Sequence, residues 1–229
     1  MSRTFLIGGG RDPRGVAASH RPLVEAAGGG PIACLVADEG DGIDAERWAG
    51  GLRAAGAADV QVVALSASRP ARAADVAGAA AVYVAGGLTP LYLRLLVDDA
   101  EPGWLPRDVP YGGFSAGAAV AASVAIVGGW CIGDLPVCAE EASEDLDQVE
   151  PQPGLARVPF TVDVHATSWG TLTRLVHAVS AGLVPEGWAI DEHTCLTVDD
   201  GGEITVQGHG CAYHVTGTGR LVGVEVVKT

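Results

Sequence analysis

Positive charge is what this chain has least of. Its 14 Lys and Arg stand against 28 Asp and Glu, a formal net charge of −14, and the basic residues form no cluster. Nucleic acids and anionic membrane surfaces are bound through such clusters, so neither is expected as a partner. No apolar run approaches the ~18 residues of a membrane-crossing helix. The opening Met1–Gly8 enters a strand-like run directly, without the apolar stretch and cleavage site of a signal peptide, and a cytoplasmic location is expected on that ground. Cysteines are few and odd in number: Cys34, Cys131, Cys138, Cys195 and Cys211, mostly within apolar segments. That pattern fits reduced thiols rather than a disulfide framework. There is no Cys-x-x-Cys and no histidine beside Cys131 or Cys138, which argues against a zinc site, and no metal or organic cofactor is implied.

What is present is the composition of a packed globular protein. A length of 229 residues, 48% hydrophobic, suffices for one α/β domain with a sizeable core and is too short for two, so 1–229 is read as a single domain. Short, β-branched, non-alternating apolar runs predict strands at Thr4–Ile7, Pro31–Ala37, Asp59–Leu65, Ala81–Ala85 and Asp108–Gly112. Helical stretches are expected between them, over Arg14–Ala27, from an Asp44 cap to Ala55, near Pro70–Ala77, and from the Thr89 cap and Pro90 to Asp98. A further helix is expected over Ala116–Ala125. After a strand at Val158–Val164 and a helix at Ser168–Ala181, short strands follow at Trp188–Asp191, Thr194–Val198, Glu203–Val206, Cys211–His214 and Val222–Val227, with Asp199–Gly202 as a hairpin turn. The expected architecture is a three-layer, doubly wound α/β fold: a mostly parallel sheet, helices on both faces and a C-terminal β-meander.

Chemistry concentrates in Gly112-Gly113-Phe114-Ser115-Ala116-Gly117, a Gly-x-Ser-x-Gly pattern where a strand meets a helix. A serine on that sharp turn has its hydroxyl pushed out of the end of the sheet, with the next backbone N–H aimed at any oxyanion beside it. Gly86-Gly87 ends the strand expected next to that of Ser115, and residues without a Cβ could expose backbone N–H groups toward the serine. Gly8-Gly9-Gly10-Arg11-Asp12 fits neither dinucleotide nor P-loop spacing, because Pro13 stands where a third glycine is needed, and it reads as a structural turn. A serine nucleophile needs a base and an orienting acid. Of the six histidines, His165 ends an apolar strand and precedes a helix, which places it at the rim of the sheet that carries Ser115. His20, His177, His193, His209 and His214 read as surface or boundary residues.

Ser115-Ala116-Gly117-Ala118, Ala85-Gly86-Gly87, Asp134-Leu135-Pro136-Val137 and Phe160–His165 occur in the order found in the dipeptidase E and cyanophycinase family of serine peptidases, which has a class I glutamine-amidotransferase-like fold. Phe5–Asp12 and Ala189-Ile190-Asp191-Glu192-His193-Thr194-Cys195-Leu196 resemble the cyanophycinase branch, so the likeness spans nearly the whole chain. It implies Ser115 as nucleophile, His165 as base, Asp134 as third triad member, and the N–H groups of Gly87 and Ala116 as oxyanion hole. Glu140, Glu141 and Glu144 compete with Asp134 for the acid role, since a glutamate serves there in the cyanophycinase branch. Gly86, Leu88 and Arg174 are the expected substrate contacts.

The chain departs from that family around the specificity pocket. Leu88 stands where members carry a polar Asn or Gln, and no arginine follows His165 until Arg174. The run Glu140–Glu150 holds six carboxylates. By itself it reads as a solvated segment. If it rims the site, its field repels an acidic substrate and favours a basic one. The expected activity is hydrolysis of a peptide or isopeptide bond in a short peptide or unusual amide, and any self-association is expected to be a homodimer. The rival readings are an α/β-hydrolase esterase, opposed by how soon His165 follows Ser115, and a ligand-binding member of the same fold without catalysis.

Overall fold

The computed structural model describes residues 3–219 and 221–229; Met1 and Ser2, the start of the expected direct entry into a strand, lie outside it. The first half alternates as expected: β1 (Thr4–Ile7), α1 (Pro13–Ala26), β2 (Ile32–Ala37), α2 (Ala45–Ala54), β3 (Val60–Leu65), β4 (Ala81–Val84), α3 (Thr89–Leu93), β5 (Tyr111–Phe114) and α4 (Ala116–Ala119). Two small ladders follow, formed by β6 (Val124–Ala125) with β9 (Gln152–Pro153) and by β7 (Cys131–Ile132) with β8 (Leu135–Pro136). The chain ends with β10 (Thr161–Val164), α5 (Thr171–Ser180), β11 (Glu186–Ile190), β12 (Thr194–Val198), β13 (Ile204–Gly208), β14 (Cys211–Gly217) and β15 (Val222–Lys228).

Seven strands form the central sheet in the order β13-β12-β1-β5-β4-β2-β3. The five from β1 to β3 are parallel, and β12 and β13 are antiparallel additions at one edge. β1, β2, β4 and β5 are buried along their whole length, as their unbroken apolar or glycine composition requires of strands covered on both faces. Gly112 and Gly113 show how tight the layers are. A Cβ on Gly112 would meet the Leu23 side chain of α1, 2.3 Å away, and one on Gly113 would meet the Gly117 carbonyl of α4 at the same distance. Successive strand residues point to opposite faces, so α1 and α4 cover opposite sides of β5. α1 and α2 are capped by side chains: Asp12 accepts from the Arg14 and Gly15 N–H groups ahead of Pro13, and Asp44 accepts from that of Arg47. α3 is not capped by Thr89 as expected: Leu88 holds the cap position with no side-chain bond, and Thr89 is its first residue.

Four further local expectations need correction. Pro70–Ala77 holds only a single turn at Ala73–Asp75, because the Ala71 N–H bonds to Leu95 O and that of Ala73 to the Glu101 carboxylate. The helix after Ser115 stops at Ala119 despite its alanines. The carbonyls of Val120, Ala121 and Ala122, needed for further helical bonds, accept instead from Leu155, Arg157 and Ala156. α5 starts at Thr171 rather than Ser168, after Gly170 in a left-handed conformation. The tail is not one meander. The β12–β13 hairpin, turned at Asp199 as expected, completes the central sheet along β1, whereas β10-β11-β14-β15 form a second, four-stranded sheet. α5 packs on that second sheet through Leu175, Ala178 and Val179. The main core runs on from the central sheet to Val162, Trp188 and Ala212 of the second.

Among the described residues no helix is long and apolar enough to cross a membrane. The core also encloses His20, whose ring nitrogens lie 2.7 Å from Val16 O and 2.8 Å from the Tyr83 hydroxyl. Burial pushes its pKa down to about 4. The unfolded chain binds this proton near pH 6.5 and the folded chain does not, so stability falls as pH drops from about 6.5 to about 4. Urea unfolding at pH 7 and pH 5 should show a loss of about 2 kcal/mol that the His20→Gln variant lacks. Equal losses in both proteins would contradict it.

Candidate active site

The site is assembled on the backbone leaving β1. Ile7, Gly8 and Gly9 present successive carbonyls, and each accepts from one residue of a different loop: Ile7 O from the Ser115 N–H (2.9 Å), Gly8 O from that of His165 (2.9 Å), Gly9 O from that of His193 (2.8 Å). All three donors have left-handed backbone, with φ of 50, 57 and 58°. Non-glycine residues adopt it at a cost and are held there only by their surroundings. At Ser115, φ 50° with ψ −111° makes the sharp hinge between β5 and α4 that the Gly-x-Ser-x-Gly pattern leads one to expect. Gly9 permits the assembly: at φ +111°, a Cβ there would lie 2.2 Å from the His165 imidazole. The glycine run after β1 is thus a structural turn, as expected, and one that seats the site.

Ser115 Oγ lies 2.8 Å from His165 Nε2, and His165 Nδ1 lies 2.7 Å from Glu192 Oε1. A carboxylate can only accept, so Nδ1 carries the proton and Nε2 presents its lone pair to the serine hydroxyl. Burial pushes the imidazole pKa below its ordinary 6.5, against the opposite pull of the Glu192 hydrogen bond and charge. The ring is therefore a neutral acceptor at pH 7. The Trp169 indole stacks on it, with centroids 3.9 Å apart and planes 7° from parallel. The acid of the pair is held by its neighbour: Asp191 accepts from the N–H and hydroxyl of Thr167, from the Cys211 N–H and from the Tyr213 hydroxyl.

The loop after β4 closes on the serine from the other side. A Cβ on Gly86 would lie 3.0 Å from Ser115 Cβ, and the Gly117 N–H donates to Ala85 O. Gly87 has φ +152°, a conformation that favours glycine. Neither its N–H nor that of Ala116 bonds to another described residue. The next two N–H groups are taken by carboxylates, Leu88 by Glu39 (2.7 Å) and Thr89 by Glu144 (2.9 Å). Burial pushes the Glu144 carboxyl above its ordinary pKa. Over Ser115 and His165 opens a cavity of about 1090 Å³ lined by eight Asp and Glu but only two Arg, Arg11 and Arg47. Among the described residues, no three His, Cys, Asp or Glu side chains converge as metal ligands.

Ser115, His165, Gly86, Gly87 and Leu88 thus line one cavity. Three expectations do not hold. Asp134 sits in the exposed two-residue Gly133-Asp134 turn of the β7–β8 hairpin, away from His165. Gly-Asp between two short strands is a hairpin signal, and it explains Asp134 better than a triad role does. Arg174 does not line that cavity: it is buried, paired with both Asp163 oxygens (2.9 and 2.7 Å), and donates to Gly129 O and Ala142 O. The strand ending in His165 belongs to the second sheet, and the His165 N–H bond to Gly8 O ties it to the end of β1 beside Ser115. Glu140 and Glu141 line the cavity and Glu144 caps Thr89, but none of them hydrogen-bonds to His165. The acid on the imidazole is Glu192, which lies inside Ala189–Leu196. Its place at the end of the apolar strand Trp188–Asp191, the position logic that singled out His165, was the available signal.

No protein-family model matches the chain, and no curated protein matches its sequence. Solved structures do match. A peptidase from an acI-B1 Actinobacterium superposes with a TM-score of 0.64 at 16% identity, covering 100% of this chain and 97% of that one. A candidate peptidase E protein from Listeria monocytogenes EGD-e gives 0.55 at 15% identity, covering 100% of both chains. The chain shares the fold of these peptidase structures.

The Gly9 contact is testable. Gly9→Ala should displace the imidazole and lower stability by about 1–3 kcal/mol in urea unfolding. Unchanged stability would show that the glycine is not needed for closure.

Proposed function

We propose that this chain is a serine peptidase of the dipeptidase E and cyanophycinase type, hydrolysing a peptide or isopeptide bond in a short peptide or related amide. One observation carries the reading: the unbroken relay from Ser115 Oγ through His165 to Glu192, on a strained strand-to-helix turn. The likeness of the fold to structures named as peptidases supports it. Ser115 attacks the substrate carbonyl while His165 Nε2 takes its proton. Glu192 holds the tautomer and stabilises the imidazolium that forms. The N–H groups of Gly87 and Ala116 receive the oxyanion, each donor worth about 3 kcal/mol. The imidazolium then protonates the leaving amine, and a water molecule activated by the same imidazole hydrolyses the acyl-enzyme.

The carboxylates around the cavity set the substrate's charge. A substrate carboxylate entering it would meet like charges with only Arg11 and Arg47 to pair with, and an unpaired carboxylate out of water costs several kcal/mol. The favoured substrates carry a cationic or apolar group beside the scissile amide.

Ser115→Ala should lower turnover by ~10⁴ or more with the fold intact, and Glu192→Gln by 10²–10⁴, while Asp134→Asn stays near wild type. A crippled Asp134→Asn together with an active Glu192→Gln would reverse the assignment of the acid. With His165 neutral down to below pH 6.5, the acid limb of kcat/KM should lie below that value. In a dipeptide and isopeptide screen, lysyl, arginyl or apolar substrates should outpace α-aspartyl ones. Cleavage of an α-aspartyl dipeptide at kcat/KM of ~10⁴ M⁻¹s⁻¹ or more would refute the charge assignment.

A further inference from the structure

We propose that Trp169 is a positioning residue, whose indole clamps the His165 imidazole in the plane joining Ser115 to Glu192 and stabilises the imidazolium formed when the serine gives up its proton. The proposal rests on the hydrolase reading above. Trp169 is 42% exposed, yet one face of its ring is occupied by the imidazole at 3.9 Å. A large aromatic left at the surface with its face on a catalytic ring is not explained by core packing.

The backbone holds it there. The Trp169 N–H donates to His165 O at 3.0 Å, so the indole returns over the imidazole from a single closed turn. That turn is pinned by Thr167, whose N–H and hydroxyl both donate to Asp191 Oδ1, and it ends at the left-handed Gly170. Parallel stacking puts the electron-rich indole face against the imidazole, an arrangement that favours the protonated ring over the neutral one. It also restricts rotation about the imidazole's side-chain bonds, which alone would break the hydrogen bond on one side or the other.

The other charges near the imidazole are accounted for. Glu192 precedes β12 and bonds Nδ1, Asp163 of β10 and Arg174 of α5 are paired with each other, and Glu144 shares a small void with Trp169 and His165. Glu192 is bonded to His165, Asp163 to Arg174 and Glu144 to the Thr89 N–H, and none of these bonds involves the indole. Trp169→Leu keeps the imidazole covered and removes the π face, and Trp169→Phe keeps a smaller one.

The experiment is an NMR titration of the His165 imidazole in wild type, Trp169→Phe and Trp169→Leu, alongside kcat, KM and pH profiles. Trp169→Leu should lower the His165 pKa by about half a unit, with Trp169→Phe between it and wild type. It should also lower kcat about tenfold while changing KM less than about threefold, and its melting temperature should stay within a few degrees of wild type. A His165 pKa unchanged or raised in a folded Trp169→Leu protein would overturn the proposal. So would a loss confined to KM, which would make Trp169 a substrate contact. The titration needs no turnover, so it decides the clamp even for a protein with no hydrolase activity, and the Ser115→Ala comparison decides the reaction independently.

Discussion

Three consecutive carbonyls at the exit of β1 hold the site together. Ile7, Gly8 and Gly9 take the N–H groups of Ser115, His165 and His193, which come from three loops far apart in the chain. Each of the three is locked in a left-handed backbone conformation that costs energy when unsupported. The strand supplies the support because it lies inside the sheet, paired with β5 on one side and β12 on the other. Its neighbours cannot shift without breaking ladder bonds. The glycines that follow have no side chains to fend off the imidazole or the carbonyls packed against them. Strain at the serine hinge is thus balanced by hydrogen bonds at a rigid strand end.

Electrostatics set the protonation state. The imidazole is buried, which disfavours charge, and bonded to Glu192, which favours it; burial wins, and the ring rests neutral with its lone pair on the serine. The carboxylates of Glu39 and Glu144 occupy N–H groups of the loop beside Ser115, so that loop is anchored through side chains from outside it. Anchoring by carboxylates also makes the cavity anionic. Preorganisation of the loop and the anionic character of the cavity therefore share one physical cause. Arg174, the nearest arginine after His165, is excluded from that balance because it is spent on Asp163 and on two carbonyls of the 129–142 segment.

Much of this was legible in the sequence by itself. Unbroken apolar runs separated by helices marked out the parallel strands β1, β2, β4 and β5 and the layers around them, because burial on both faces leaves no other composition; β3, at the sheet edge, is only partly buried. The Gly-x-Ser-x-Gly turn at Ser115, the strand-ending Gly86-Gly87 and the strand-ending His165 were readable because each lies at a local boundary that glycine or a switch of periodicity marks. The tertiary structure alone decided the rest. It assigned the imidazole's carboxylate to Glu192 and not Asp134, since that choice depends on which loop β1 seats beside His165. It split the tail into two sheets, because the open edge of β1 takes β12 as its partner. It ended the alanine-rich helix at Ala119, where carbonyls find partners in a segment more than thirty residues away. Contacts of that span leave no periodicity in the chain, so no window of sequence could contain them.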